Sequence, residues 1–448
     1  MCSSDLRTPV FAIGTVLVAL WLSRRLGGGM GGRLGAYALL LVSLPPAEFV
    51  LDDIAGIGYV TALSPIRLLS LVLLLPALLN RANTDRRLPT PGWLRLCDLG
   101  LFGYVFLMAS FDWRGPLSVL VRATVEILLD VWIPYLALTR CARDAADRRK
   151  LLAIFLIAMA CQGAIATLES LTGHQFYNQL QYIYGTSWQT TWAELRAGFL
   201  RGQAAPQNPL VLAAMLLVAL GTWAGLKPER PGKAYWWLLL LLGGLWATFG
   251  RAAWLCTGLF FVSLQAMPRL AGRGYVIAVV ALTALVGVGW SSGIGEQLTQ
   301  GAIELFNAEG RESFNILYRQ ELLEASVALL KQSPWLGVGD FLTPLAYLKQ
   351  GEGIIDLVNT YLVVALNVGL IGLGLLMTPF LVGLWRQAAL VPRGTPALGH
   401  EALAWIAMTV SLMALVFTVS PIRQVMQMLI WAAALGIAHL ASLERPRR

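Results

Sequence analysis

The chain has 448 residues, 57% of them apolar and 13% charged. Soluble domains run at roughly 45–50% apolar and about 25% charged, so this composition sets aside a freely soluble globular protein, and with it disorder, collagen and nucleic-acid binding as the main role. The formal charge of +9 at pH 7 is informative through its distribution across two membrane faces rather than through its sum.

Apolar runs recur along the chain near 8–23, 34–51, 59–80, 95–112, 116–139, 151–172, 208–226, 235–249, 251–268, 274–291, 357–385, 401–418 and 422–442. Crossing about 30 Å of hydrocarbon takes about 20 helical residues. The expected fold is therefore all-α, a polytopic membrane bundle of 12–13 transmembrane helices forming one integral domain over 1–448. Two polar stretches interrupt it: an outer loop at 173–207 and a large extracytoplasmic loop at 292–356 containing short helices. An amphipathic helix is expected from Phe314 to Lys331, stopped by Ser333-Pro334. The first apolar segment lacks a basic leader and an A-x-A site and is read as retained. Cys2, Cys97, Cys141, Cys161 and Cys256 show no paired spacing and are read as small core residues, neither disulfides nor metal ligands.

Orientation follows from lysine and arginine in the short loops. The clusters Arg24/Arg25/Arg33, Arg81/Arg86/Arg87/Arg95, Arg143/Arg148/Arg149/Lys150, Lys227/Arg230/Lys233, Arg269/Arg273, Arg386/Arg393 and Arg445/Arg447/Arg448 are separated by even numbers of spans. All can be cytoplasmic together, which puts both long loops outside. Thirteen spans would also leave Met1 outside.

Seven arginines break the rule: Arg67, Arg122, Arg196, Arg201, Arg251, Arg319 and Arg423 map to the outer side. An arginine in apolar sequence costs about 2.5–3.5 kcal/mol on insertion scales, so an anion should compensate each. Glu126 and Asp130 follow Arg122 at i+4 and i+8 and could neutralise it; an internal pair explains Arg122 as well as a function does. Arg201, Arg251 and Arg319 have few carboxylates nearby in sequence beyond Glu321 and Glu324. Convergent guanidinium groups suit a lipid-linked diphosphate, which they grip through paired charge-assisted hydrogen bonds; anionic-lipid contacts or pairs distant in sequence are the alternatives. The chain has no D-x-D pair, Walker loop or H-E-x-x-H, and the run Gly27 to Gly32 reads as a cytoplasmic turn.

Four motifs in order carry a family resemblance. RGQAAPQNP, Arg201 to Pro209, resembles the R-x-x-G-x-x-x-N-P pattern of the O-antigen ligase and Wzy-type polymerase family, with Ala204 where the family has glycine. TFGRAAWL, Thr248 to Leu255, is similar to its S-R-x-x-W-L hairpin, with Gly250 for serine. Arg319 followed by SPWLGVGD, Ser333 to Asp340, resembles the arginine helix and P-x-x-G-x-G turn of its large outer loop. VNTYLVVALNVGLIGL, Val358 to Leu373, resembles its H-N-x-x-L…G-x-x-G-L segment, with Val358 where the ligases carry the histidine regarded as catalytic.

The resemblance implies a GT-C-like glycosyltransferase in the bacterial inner membrane, its active site facing the periplasm. It would take a polyprenyl-diphosphate-linked glycan as donor and a glycan acceptor, amid membrane lipids and possible contact with a chain-length regulator, with no nucleic acid, cofactor or metal. Without the histidine, a polymerase of lipid-linked repeats is favoured over a ligase to lipid A; a flippase is the reading from another class. Arg201 and Arg251 are the first candidates for stabilising the departing diphosphate, and Arg319 is next. Asp356 is the candidate base, with Glu321, Glu324 and Asp340 as alternatives and His174 read as a surface group. Arg122, Arg196, Arg67, Asn359 and Tyr361 are candidate substrate-binding groups, although an asparagine at a helix start also serves as an N-cap. Tyr177, Tyr182, Tyr184, Trp188 and Trp192 could stack on sugars or belong to an interfacial aromatic belt.

Overall fold

A computed structural model of the chain describes residues 7–47, 49–51, 61–84, 91–110, 117–142, 144–178, 195–196, 198–226, 231–266, 311–349, 355, 357–391 and 396–444. In chain order the helices are α1 (Arg7–Arg25), α2 (Gly29–Ser43), α3 (Pro65–Leu69), α4 (Leu75–Thr84), α5 (Gly92–Ser110), α6 (Leu117–Ile127), α7 (Ile133–Cys141) and α8 (Ala145–Thr172). They continue as α9 (Pro209–Leu226), α10 (Pro231–Ala247), α11 (Arg251–Ala266), α12 (Arg311–Leu330), α13 (Thr360–Leu390), α14 (Pro396–Val416) and α15 (Arg423–Leu443). A π turn, Ser70–Leu74, joins α3 to α4, and another, Leu128–Trp132, joins α6 to α7. Two short antiparallel pairs are present, β1 (Phe49–Leu51) with β2 (Thr61–Leu63) and β3 (Leu195–Arg196) with β4 (Phe199–Leu200).

The expected segments overlap these helices, but 34–51 ends in β1 and 59–80 begins in β2, while 274–291 lies outside the described residues. Six of the helices, α5, α8, α9, α13, α14 and α15, contain stretches long and apolar enough to cross a membrane. The expected amphipathic helix appears as α12. Helix α9 is apolar all round and buried along most of its length, the signature of a central helix. Close packing relies on glycine: a Cβ on Gly244 of α10 would come within 2.5 Å of the Gly163 Cα of α8, and one on Gly103 of α5 within 3.0 Å of Leu375 of α13. Small residues let helix backbones approach where no hydrophobic driving force separates helix from lipid.

Polar contacts between helices join ends that the charge pattern assigns to one side. At the Lys/Arg-rich end, Trp93 Nε1 and Arg386 both donate to Glu444, at 2.9 and 2.8 Å. There too Arg140 pairs with Asp98, and Glu401 pairs with His439 at 2.9 Å and Arg148 at 3.6 Å. At the opposite end, the Thr360 hydroxyl donates to the Val419 carbonyl and that of Tyr361 to the Met413 carbonyl, both at 2.7 Å.

Arg67 occupies this opposite end differently from expectation. Ser64 caps α3, accepting the Arg67 N–H at 3.3 Å, and Pro65 supplies a preset first turn. The Arg67 side chain, 1% exposed, donates through Nε and Nη2 to Asp130 at 3.1 and 2.7 Å and pairs with Glu126 at 3.0 Å. Gln427 of α15 also donates to Asp130, at 3.3 Å. The two carboxylates that local spacing allotted to Arg122 are thus engaged by a guanidinium from another helix. Arg67, expected as a substrate-binding group, is held within this buried ion cluster. Each π turn adds one residue and so shifts the following helix face by about 100°, and both lie beside this cluster.

A second apolar core sits outside the bundle, where Leu322 and Leu329 of α12 meet Phe341, Leu345, Leu348, Leu357 and the first turns of α13 through Leu362, Val363 and Leu366. Its anchor is a break in α13 at Gly369, which has φ +71° and ψ −178°. In an unbroken helix the Leu366 carbonyl would accept from the Leu370 N–H. Instead it accepts from Val338 at 2.7 Å and Gly339 at 3.1 Å, while the Leu370 N–H donates to Pro334 at 2.8 Å and that of Ile371 to Trp335 at 3.3 Å. Two of the recognised motifs therefore interlock through their backbones. A Cβ at Gly369 would run into the Trp335 carbonyl, and one at Gly337 would come within 2.6 Å of the Leu366 oxygen.

Two measurements check this packing. Gly369→Ala should destabilise the protein by about 3 kcal/mol, combining left-handed strain with overpacking, whereas Gly374→Ala, where a Cβ meets nothing within 4 Å, should stay within about 0.5 kcal/mol. Thermal unfolding in detergent reads both. By the same assay Arg67→Met should cost about 3–5 kcal/mol by stranding two carboxylates, and adding Glu126→Gln and Asp130→Asn should recover most of the loss.

Candidate functional site

The segment from Leu200 to Asn208 is buried yet not helical, so its backbone groups need partners other than a helix ladder. Those partners come from α8 and α10. The Gly202 N–H donates to the Ala247 carbonyl at 2.7 Å. The N–H groups of Gln203 and Ala204 converge on one oxygen of Glu169, at 2.9 and 2.7 Å, and that of Ala205 donates to Gln162 Oε1 at 3.1 Å. The Gln207 N–H closes a turn onto the Ala204 carbonyl at 3.3 Å. Ala204 and Gln207 have φ of +47° and +58°, which explains why a glycine suits the fourth motif position. Asn208 then caps α9, its Oδ1 accepting from Leu210 at 2.8 Å and Val211 at 3.3 Å, with Pro209 at the first helical position.

This loop delivers two arginines to the turn between α10 and α11. Arg201 Nε donates to the Thr248 carbonyl at 2.9 Å and Arg196 Nη1 to the Phe249 carbonyl at 2.8 Å. Cations near the last carbonyls of a helix are favoured by its dipole. Arg251, two residues beyond Phe249, opens α11 with its side chain exposed. Arg196, Arg201 and Arg251 are thus gathered around one turn, while Arg67 belongs to the ion cluster of α3, α6 and α15.

Aromatic rings crowd the same turn. Phe249, at φ +46°, stacks on Phe199 with 5.6 Å between centroids and lies 4.9 Å from Trp246 and 6.1 Å from Trp254. Phe199, Trp246 and Trp254 remain 41–42% exposed, and Trp254 Nε1 donates to the Leu245 carbonyl at 3.1 Å.

The remaining expected residues are more dispersed. Arg319 is exposed on α12, as are Glu321 and Glu324, the latter accepting from Gln320 at 3.0 Å. Arg122 lies half-buried on α6. Asn359 caps α13, its Oδ1 accepting the Leu362 N–H at 3.1 Å, and Tyr361 is a packing residue tied to Met413 and set beside Phe417 at 6.5 Å. Asp356 lies outside the described residues, as do Tyr182, Tyr184, Trp188 and Trp192. Tyr177 accepts from Gln162 at 3.3 Å, and His174 is exposed beside Phe176. Asp340 accepts the Thr343 hydroxyl at 2.5 Å and its N–H at 3.2 Å, which holds its carboxyl below the usual carboxylate range and makes it a poor base. Among the described residues no group of three His, Cys, Asp or Glu side chains is placed to hold a metal ion.

Sequence reasoning missed Glu169, Gln162 and the Phe199–Trp246–Phe249–Trp254 cluster. The first two carried a usable signal, a glutamate and a glutamine seven residues apart on one face of an apolar helix. Trp246, Phe249 and Trp254 lie within nine residues of sequence, but Phe199 joins them from β4, which their spacing does not reveal.

No curated protein matches the chain. Three of the four motifs, the Thr248–Leu255 hairpin, the Ser333–Asp340 turn and the Val358–Leu373 segment, fall within one stretch, and Arg201 to Pro209 precedes it. That stretch, residues 236–377, matches the family model described as O-antigen ligase, which supports a membrane glycan-processing role.

Proposed function

We propose that the protein is a metal-independent polysaccharide polymerase that joins polyprenyl-diphosphate-linked oligosaccharide repeats at the outer face of the inner membrane. The observation that carries this reading is the gathering of Arg196, Arg201 and Arg251 at the α10–α11 turn, at the end opposite the Lys/Arg-rich loops.

In the reaction, a hydroxyl oxygen of the acceptor sugar forms a bond to the anomeric carbon of the donor. The bond from that carbon to the diphosphate breaks, the hydroxyl proton passes to a base, and the lipid diphosphate departs with the electron pair. Negative charge grows on the leaving group as the bond breaks. Guanidinium groups already held by backbone carbonyls stabilise that growing charge without reorganising, which is the differential binding that catalysis needs. Arg251 adds the positive end of α11 to the same place. Arg319 and Arg122 are secondary anion contacts in this scheme. Asp356 is the proposed base. The aromatic rings around Phe249 flank the arginines where a sugar face or the first isoprene units would lie.

Transfer of a finished glycan to lipid A or another acceptor is the second reading, favoured by the description of the matching family model. The two differ in their substrates. Purified protein incubated with a synthetic polyprenyl-diphosphate repeat unit should produce a ladder of products, unchanged by EDTA. Arg201→Ala and Arg251→Ala should each slow its formation by about 10²–10³-fold, the cost of removing one electrostatic stabiliser. Product formed only when lipid A is added would establish the ligase instead, and movement of the lipid-linked sugar across vesicles without a new glycosidic bond would refute both.

A further inference from the structure

Glu169 is a buried carboxylate with an unusual set of partners. It is 0% exposed and stands in the last turn of α8, where the helix dipole disfavours a negative charge. A buried charge requires compensation, and here it comes from backbone N–H groups outside the helix: Gln203 at 2.9 Å, Ala204 at 2.7 Å and Phe176 at 3.2 Å. Consecutive N–H groups converging on one oxygen form an anion-binding nest. In this loop the nest is filled by the protein's own carboxylate, so the backbone that carries Arg201 is fixed from below.

The loop is pinned on its other flank as well. Gly202 donates to Ala247, and a Cβ on Gly202 would come within 2.5 Å of the Ala166 carbonyl of α8. Arg201 reaches from the pinned segment to the Thr248 carbonyl. The guanidinium position is thus set by α8 on one side and by the end of α10 on the other.

We infer that Glu169 is a positioning residue of the arginine site: its carboxylate fills the Gln203–Ala204 nest and thereby holds Arg201 in the geometry that grips the diphosphate of the donor. This rests on the functional reading above. It assigns a role to a residue that touches no substrate, and it predicts that Glu169 matters to binding through Arg201 and by no separate route.

A double-mutant cycle tests it, using full-length protein in nanodiscs and a sugar-free C55 polyprenyl diphosphate as the binding probe. Arg201→Ala should weaken binding at least 10-fold. Glu169→Gln, which replaces a charged acceptor facing three N–H donors with an amide, should weaken binding about as much and raise hydrogen exchange of the peptide spanning residues 199–208. In the Arg201→Ala background, Glu169→Gln should change the affinity less than twofold, because the group it positions is gone. Should Glu169→Gln not yield folded protein, Glu169→Asp, which keeps the charge but draws the carboxylate back from the Gln203 and Ala204 N–H groups, reads the same coupling. Additive losses, or an unchanged affinity in Glu169→Gln beside a weakened Arg201→Ala, would overturn the inference and leave the arginine site standing. An unchanged affinity in Arg201→Ala would overturn the functional reading itself.

Discussion

The bundle depends on satisfying irregular backbone where there is no water to do it. Lipid offers no hydrogen bonds, so a non-helical segment at membrane depth persists when protein groups take every N–H and carbonyl it frees. Among the described residues two segments show this, both at the end opposite the basic loops. From Gly202 to Gln207 the amide donors are taken by Ala247, Glu169, Gln162 and Ala204. At Gly369 the broken ladder of α13 is completed by the Pro334–Gly339 turn, which exchanges donors and acceptors with residues 366–371.

These two devices have different consequences. The first fixes arginines: Arg196 and Arg201 meet the carbonyls of the α10–α11 turn because the loop beneath them cannot shift. The second fixes the polar segment before α13, since the apolar core around Leu322, Phe341, Leu345 and Leu362 is fastened to the bundle through the break in α13. Residues in left-handed backbone, Ala204, Gln207 and Phe249 among them, concentrate at the arginine turn. Strain of that kind is retained where the surroundings overdetermine it.

The helical architecture was legible because its cause is local: twenty apolar residues in a row make a spanning helix whatever their neighbours do. Which helix ends lie together was also legible from the charge pattern, since contacts such as Arg386–Glu444 and Thr360–Val419 join ends expected on one side. Pairing across helices was not. The i+4 spacing placed Glu126 within reach of Arg122, but nothing in the spacing reveals that Arg67, from a helix more than fifty residues earlier, reaches the same carboxylate. The asparagine cap at Asn359 was visible as an alternative to a substrate contact, because caps obey local rules. Glu169 escaped notice because its partners are backbone groups, which leave no mark in the pattern of side chains.

The account turns on whether the arginine turn recognises a diphosphate as such. Native mass spectrometry of the purified protein with equal amounts of polyprenyl diphosphate, polyprenyl monophosphate and the neutral polyprenol measures that preference directly. The account predicts that the diphosphate is retained well above the monophosphate, and the monophosphate above the alcohol, with the preference weakening as salt rises. Equal retention of all three would mean that the isoprenoid tail alone is being bound and that the guanidinium groups serve the fold rather than a ligand.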